Sequence, residues 1–238
     1  LLDSGLLSHD DIDCLRPQIY RAIAAEAPEQ RWIKAHDAYT LNRAGEPILG
    51  GNVAQAAIYL VRDPRDVAVS LAHHNNTTID AAIDLMSAAD GALCRGRKGL
   101  TSQLRQLLTG WSGHVTSWLD QTDVPVHWVR YEDLVTDPVG YFGAALDFAG
   151  RAASPTQIER AVRNASFAEL QRQENAQGFG ERMPRASAPF FRMGRVGGWH
   201  DALLPEQVAR LEQTHGAVMR RLDYRVPATI DNLAMARA

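Results

Sequence analysis

Two clusters of residues have the types and spacing to do chemistry. In the string AIYLVRDPRDVAVSL, Arg62 directly follows a strongly apolar run, and Ser70 stands eight residues further on. Asp63-Pro64 reads as the N-cap and first position of a helix, so Arg62 lies where a strand ends and a helix begins. Such a junction turns free backbone N–H groups outward, and a forked, permanent cation beside them suits a phosphate. Ser70, two turns into that helix, offers a hydroxyl to the same anion. The other reading leaves Arg62 paired with Asp63 or Asp66, and Ser70 as a surface residue. The second cluster is Lys34-Ala35-His36. Histidine titrates near neutral pH and can take a hydroxyl proton, and a lysine two residues before it is an electrostatic helper. Alone, the pair is equally compatible with a structural histidine.

Three weaker phrases accompany these. Val129-Arg130-Tyr131-Glu132-Asp133-Leu134 closes an apolar run and places an aromatic at its end. Ser166-Phe167 sets a flat apolar ring at a helix start, where it could face a purine or belong to the core. The stretch 178–198 has four arginines (182, 185, 192, 195) against one acid, Glu181, and five glycines, in a chain whose formal net charge is −3. A local basic, glycine-rich segment in an acidic protein suits an anion lid.

Taken together, these strings resemble the sulfotransferases that use 3'-phosphoadenosine-5'-phosphosulfate. The resemblance implies that Arg62 and Ser70 bind the 3'-phosphate, and that His36 is the catalytic base with Lys34 stabilising the transferring group. It further implies that Tyr131, Ser166 and Phe167 hold the adenosine. Arg192, Met193 and Gly194 match the family's Arg-Lys-Gly triplet, with Met193 replacing the usual Lys and Gly198 the usual Asp. Arg195 is placed to compensate for the missing cation. No Pro-Lys-x-Gly-x-Thr/Asn-Trp loop, which wraps the 5'-phosphosulfate in relatives, occurs in these 238 residues. The resemblance therefore runs from Arg31 to Tyr224 and implies an N-terminally incomplete domain, a fragment of a longer protein. A non-catalytic nucleotide-binding or interaction module is the rival reading. A kinase of similar architecture would need a Walker loop and a Mg²⁺-holding acid, and neither is visible.

Positioning these groups requires an α/β frame. Ser8 caps a helix to about Glu26, and strands are expected at Arg31–His36, Ala56–Val61 and Val124–Tyr131. Helices are expected from Pro64 to His74, from Thr78 to Ala89, from Ser102 to Asp120, after Asp137-Pro138, after Ser154-Pro155 with Gln157 closing a capping box, and from Pro205. The last of these buries Val208, Leu211, Val218 and Leu222. Strands separated by helices predict a three-layer parallel sheet flanked by helices, and the resemblance implies a fold related to that of the nucleotide kinases. A single domain over 1–224 with a tail, 225–238, is the expected organisation. Trp111 and Trp118 are assigned to the core, and Arg95-Gly-Arg-Lys98 to a solvated loop.

Bulk properties fit that frame. Apolar residues make up 45% and charged residues 22%, as in ordinary globular domains. The negative net charge argues against nucleic-acid or anionic-membrane partners. No run approaches the roughly 18 apolar residues of a membrane span. Two cysteines, Cys14 and Cys94, imply no disulfide framework, so a reduced cytoplasmic setting is expected. His73-His74 and the remaining histidines lack metal-ligand spacing, and the expected partners are the nucleotide donor and a small-molecule acceptor.

Overall fold

The computed structural model describes residues 7–94, 104–181 and 189–226. The first helix, α1 (His9–Glu26), starts on a capping box. The Ser8 side chain accepts from the Asp11 N–H, and the Asp11 carboxylate accepts from the Ser8 N–H. Strand β1 (Ala57–Val61) leads through Arg62 into α2 (Pro64–His74), which is followed by α3 (Ile79–Ser87) capped by Thr78. Two short strands, β2 (Ala92–Leu93) and β3 (Gln106–Leu107), pair antiparallel ahead of α4 (Gly110–Leu119). Strand β4 (Val126–Arg130) continues directly into α5 (Tyr131–Thr136), then α6 (Pro138–Phe148), α7 (Pro155–Asn164) and α8 (Phe167–Gln177). After a 3-10 turn at Gly198–Asp201, α9 (Pro205–Arg221) ends the described chain.

The parallel sheet is formed by β1 and β4, in the register Val61↔Arg130. Because the strands run in the same direction, Arg62 and Tyr131 leave it side by side at its carboxyl edge. One sheet face packs against α2, α3, α4 and α9 through Val61, Ala68, Ile83, Met86, Trp111, Val115, Leu211, Met219 and Leu222. On the other face α6 packs on β4, with α7 and α8 following outward. The layered α/β reading holds.

Two expected elements differ. Residues 31–36 do not form a strand. Among the described residues no strand lies alongside to receive their backbone, and Trp32 and Ile33 stay 56% and 54% exposed. The helix expected from Ser102 begins at Gly110 instead, because Thr109 (φ 55°) and Gly110 (φ 70°) take left-handed conformations that break the pattern. A side chain at position 110 would meet the Met86 carbonyl oxygen at 2.7 Å, so glycine is required there. Ser102 itself, Arg95–Lys98, Arg182, Arg185 and the tail beyond 226 lie outside the described residues.

One of the buried titratable groups that the site does not use is a histidine. His215 is 2% exposed, its Nδ1 lies 2.8 Å from the Ser112 hydroxyl, and its Nε2 is buried without a partner. Burial lowers its pKa from 6.5 to about 4. The unfolded chain therefore takes up this proton as pH falls below 6.5, while the folded chain resists until about 4. Stability should fall across that window by an amount on the order of 3 kcal/mol. Comparing urea midpoints of the wild type and His215→Gln from pH 7 to 4 checks this. The wild type should lose the additional stability, and an identical pH slope in both would refute it.

Candidate anion-binding and transfer site

The junction after β1 has the predicted form. Asp63 caps α2 by accepting from the Arg65 N–H at 2.9 Å, and Pro64 follows. The Arg62 guanidinium lies over the Tyr131 ring, 4.4 Å from its centroid, and donates to the Arg195 carbonyl at 2.8 Å. It also sits 3.3 Å from Asp66, while its Nε is buried with no partner. The Arg62 carbonyl accepts from the Trp111 indole N–H at 3.1 Å, so this core tryptophan also fixes the backbone of the site. Ser70 is exposed on α2.

The glycine-rich segment folds back onto this junction. Asp66, 3% exposed, accepts from the backbone N–H groups of Gly197 (2.8 Å) and Trp199 (2.9 Å). Arg65 lies 4.2 Å from the Trp199 ring centroid and is ion-paired with Asp63 and Glu212. Gly194 adopts φ 58°, and a β-carbon there would fall 2.2 Å from the Phe167 ring. The backbone at 194 thus packs flat on that aromatic, which only glycine permits. Arg192 is brought close to Arg62 and Arg195: its burial and their charges lower its affinity for its own proton. Met193 is exposed, and its sulfur lies 2.9 Å from the Arg192 guanidinium. Arg195 is engaged with Asp201 at 2.6 Å. Ser166 is the N-cap of α8, but its hydroxyl makes no capping bond. Arg62, Tyr131, Phe167, Arg192 and Gly194 therefore come together, with cations in excess of acids at their centre.

Lys34 and His36 lie in the irregular segment that replaces the expected strand. Lys34 donates to Glu181 at 2.5 Å, and that contact holds the Glu181 carboxyl below its ordinary range. Partial burial of His36 and the charge of Lys34 lower the His36 pKa, an effect that Glu181 and Asp37 oppose. A ring with a depressed pKa is largely unprotonated near neutral pH, the form a base requires. The end of α2 lies between the two clusters. His73 has its pKa lowered by burial and by Arg192, while the His74 ring meets the edge of Phe190 at 5.9 Å and feels Glu181 and His36.

The chain matches the sulfotransferase domain family over residues 51–223. It belongs to that family. Among curated relatives, cytosolic sulfotransferase 17 of Arabidopsis thaliana is 28% identical over 167 residues, covering 65% of this chain and 46% of that protein. Sulfotransferase 1A1 of Rattus norvegicus is 24% identical over 214 residues, covering 84% and 66%. The chain thus spans about half the length of the first of these and two thirds of the second. Among solved structures, mouse sulfotransferase SULT7A1 complexed with PAP superposes with a TM-score of 0.60 at 24% identity, covering 84% of this chain and 69% of that one. Retinol dehydratase in a complex with retinol and PAP superposes at 0.59 and 25% identity, covering 87% and 58%. The fold is that of the sulfotransferases.

Several residues that shape this sulfotransferase-family site escape a motif reading. Glu132 accepts from the Asp63 N–H (3.1 Å) and from the Tyr224 hydroxyl (2.9 Å), tying the ends of β1 and β4 to the start of the C-terminal stretch. Asp66 is the latch for residues 197–199. Asp37 is buried, 3% exposed, and held by Arg16 at 2.8 and 2.9 Å. The signal for Asp66 lay in the string itself, since a second acid four residues after Arg62 has its own partners to find. Nothing local marked Arg16.

Proposed function

We propose that this chain transfers a sulfuryl group from 3'-phosphoadenosine-5'-phosphosulfate to a hydroxyl or amine of a small-molecule acceptor. The observation that carries the reading is the cation cluster at the carboxyl edge of the sheet. Arg62 keeps a buried Nε with no partner despite its contact with Asp66, and Arg192 is crowded by two like charges, so the pair has cationic capacity that its neighbours do not fill. A bound phosphate would relieve both. Arg62, Ser70, Arg192 and the Gly194 N–H would hold the 3'-phosphate, with Met193 beside them, and Tyr131, Ser166 and Phe167 the adenosine. The donor supplies an activated sulfuryl group when bound. As the acceptor oxygen or nitrogen bonds to sulfur and the bond from sulfur to the 5'-phosphate oxygen breaks, PAP leaves, His36 takes the acceptor's proton, and Lys34 leaves Glu181 to offset negative charge around the transferring group. Protein cations handle the charge in this scheme, so it calls on no metal. The small-molecule acceptor class rests on the resemblance and on solved relatives, which hold androsterone or retinol beside PAP.

Titration of the full-length protein with PAP in a calorimeter, followed by a radiolabelled-donor assay over a panel of phenols and alcohols, tests the proposal. The wild type should bind PAP and transfer label. Arg62→Ala should weaken PAP binding by at least about 30-fold, the usual result of removing one partner of a desolvated charge pair. Equal affinity in the variant would refute the assigned anion site. PAP binding without transfer to any acceptor would favour a nucleotide-binding module over an enzyme.

A further inference from the structure

Residues 31–36 form no strand, yet the backbone is bonded to other elements at His36, Asp37, Ala38 and Tyr39. The Ala38 N–H donates to the Leu107 carbonyl at 2.7 Å, and the Tyr39 N–H to the Ser117 hydroxyl at 2.9 Å. The Asp37 carbonyl accepts from the Trp118 indole N–H at 3.0 Å. The His36 carbonyl lies 3.1 Å from His114 Nε2, and the Tyr59 hydroxyl 2.9 Å from His114 Nδ1. Three of these partners, His114, Ser117 and Trp118, stand on α4. That helix is itself anchored in the core by Trp111, 9% exposed, and Val115, 0% exposed.

A carbonyl oxygen only accepts, so the hydrogen of a neutral His114 must sit on Nε2. Nδ1 is then free to accept from Tyr59, and both ring nitrogens are satisfied in one tautomer. Burial favours this neutral ring, and it also keeps the Tyr59 hydroxyl protonated. The Tyr59 and His114 rings are stacked, with centroids 5.6 Å apart and 23° between planes, so the imidazole cannot swing without disturbing β1.

We propose that His114 is a positioning residue for transfer, holding the His36 backbone by its Nε2–H while Tyr59 fixes its tautomer. The inference rests on the reading that His36 is the base. Its physical content is that a base carried on a non-strand segment is placed by side chains of a core helix, where an error of about 1 Å can cost on the order of 100-fold in rate.

The test uses the full-length protein with His114→Phe, His114→Gln, His36→Ala and the double variant His36→Ala/His114→Phe. His114→Phe keeps a ring of similar shape and removes the donor, and should lower kcat by about 10- to 100-fold. PAP affinity and the acceptor KM should stay within about twofold, as expected when ground-state binding is untouched. His114→Gln restores an N–H donor and should recover most of the rate. In the double variant the His114 change should cost no further rate, because it acts only through His36. An undiminished kcat in His114→Phe overturns the proposal, as does a Gln variant as slow as Phe. PAP affinity lost in step with kcat would also overturn it, since His114 would then support the fold at large. Losses that multiply in the double variant would give His114 an independent role and overturn it too. If His36→Ala alone keeps full activity, the failure lies in the assignment of the base, an outcome separate from all of these.

Discussion

Replacing His36 with alanine should lower kcat by about 10²- to 10⁴-fold, the range for loss of a general base, while PAP affinity stays as in the wild type. The split follows from the layout. The cation cluster proposed for the nucleotide is built at the end of β1, the start of α2 and the 192–199 segment, whereas His36 stands on the irregular segment 31–36. The pH profile gives a second handle. Burial and Lys34 lower the His36 pKa from its ordinary 6.5, so the unprotonated base persists to somewhat lower pH than free histidine would allow. The acid limb of the rate should have its midpoint below that of free histidine, and it should vanish in His36→Ala. The measurement is a stopped radiolabelled-donor assay from pH 5 to 8. A variant with wild-type kcat, or an unchanged acid limb, would remove His36 from the role.

Arg16→Met should destabilise the fold by about 3–5 kcal/mol, the usual loss when one member of a buried ion pair is removed and its partner is stranded. Arg16 is 5% exposed, Asp37 3% and Asp13 3%. The guanidinium grips both Asp37 oxygens, at 2.8 and 2.9 Å, and lies 3.3 Å from Asp13, which Arg105 also contacts. Desolvated carboxylates with no guanidinium are far costlier than an apolar contact in the same place. The double variant Arg16→Met/Asp37→Asn removes the stranded charge and should recover a large part of the loss. Urea unfolding midpoints of the wild type, the single and the double variants decide this. A single variant within about 0.5 kcal/mol of wild type, as for an ordinary surface change, would show the pair to be dispensable. The Arg16–Asp37 pair couples α1 to the His36 segment, and Asp37 ties that segment to β3 by accepting from the Leu107 N–H at 3.2 Å.

Much of the framework was legible along the chain. The starts of α1, α2, α3, α6, α7 and α9 carry Ser, Thr or Asp caps, capping-box partners, or Pro at the first turn, and each begins where those signals place it. The apolar run before Arg62 is a strand, and the turn into α2 puts the guanidinium at the sheet's edge. The failures are also specific. Arg31–His36 reads as a short strand, but a strand exists only if a neighbour accepts its hydrogen bonds. Ser102–Leu108 continued the helical pattern of α4, yet the left-handed backbone at Thr109 and Gly110 divides them.

What the amino-acid sequence determined by itself is local: caps, periodicity, and the pairing of a cation with a helix start inside one short string. These depend on neighbours a few residues apart, and a linear reading contains them. Tertiary structure alone decided how the charges of that string divide their work. Arg62 and Arg65, three residues apart, could each have met the anion. The fold gives Arg65 to Asp63 and Glu212, sets Asp66 under Gly197 and Trp199, and leaves Arg62 turned to Tyr131 with a nitrogen unpaired. It likewise carries His36 on a segment pinned by α1 and α4, elements about 20 residues before it and 80 after. Which partner a buried charge or carbonyl finds is set by the layering of the sheet and helices, and unsatisfied polar groups are too costly in that interior to be left to chance.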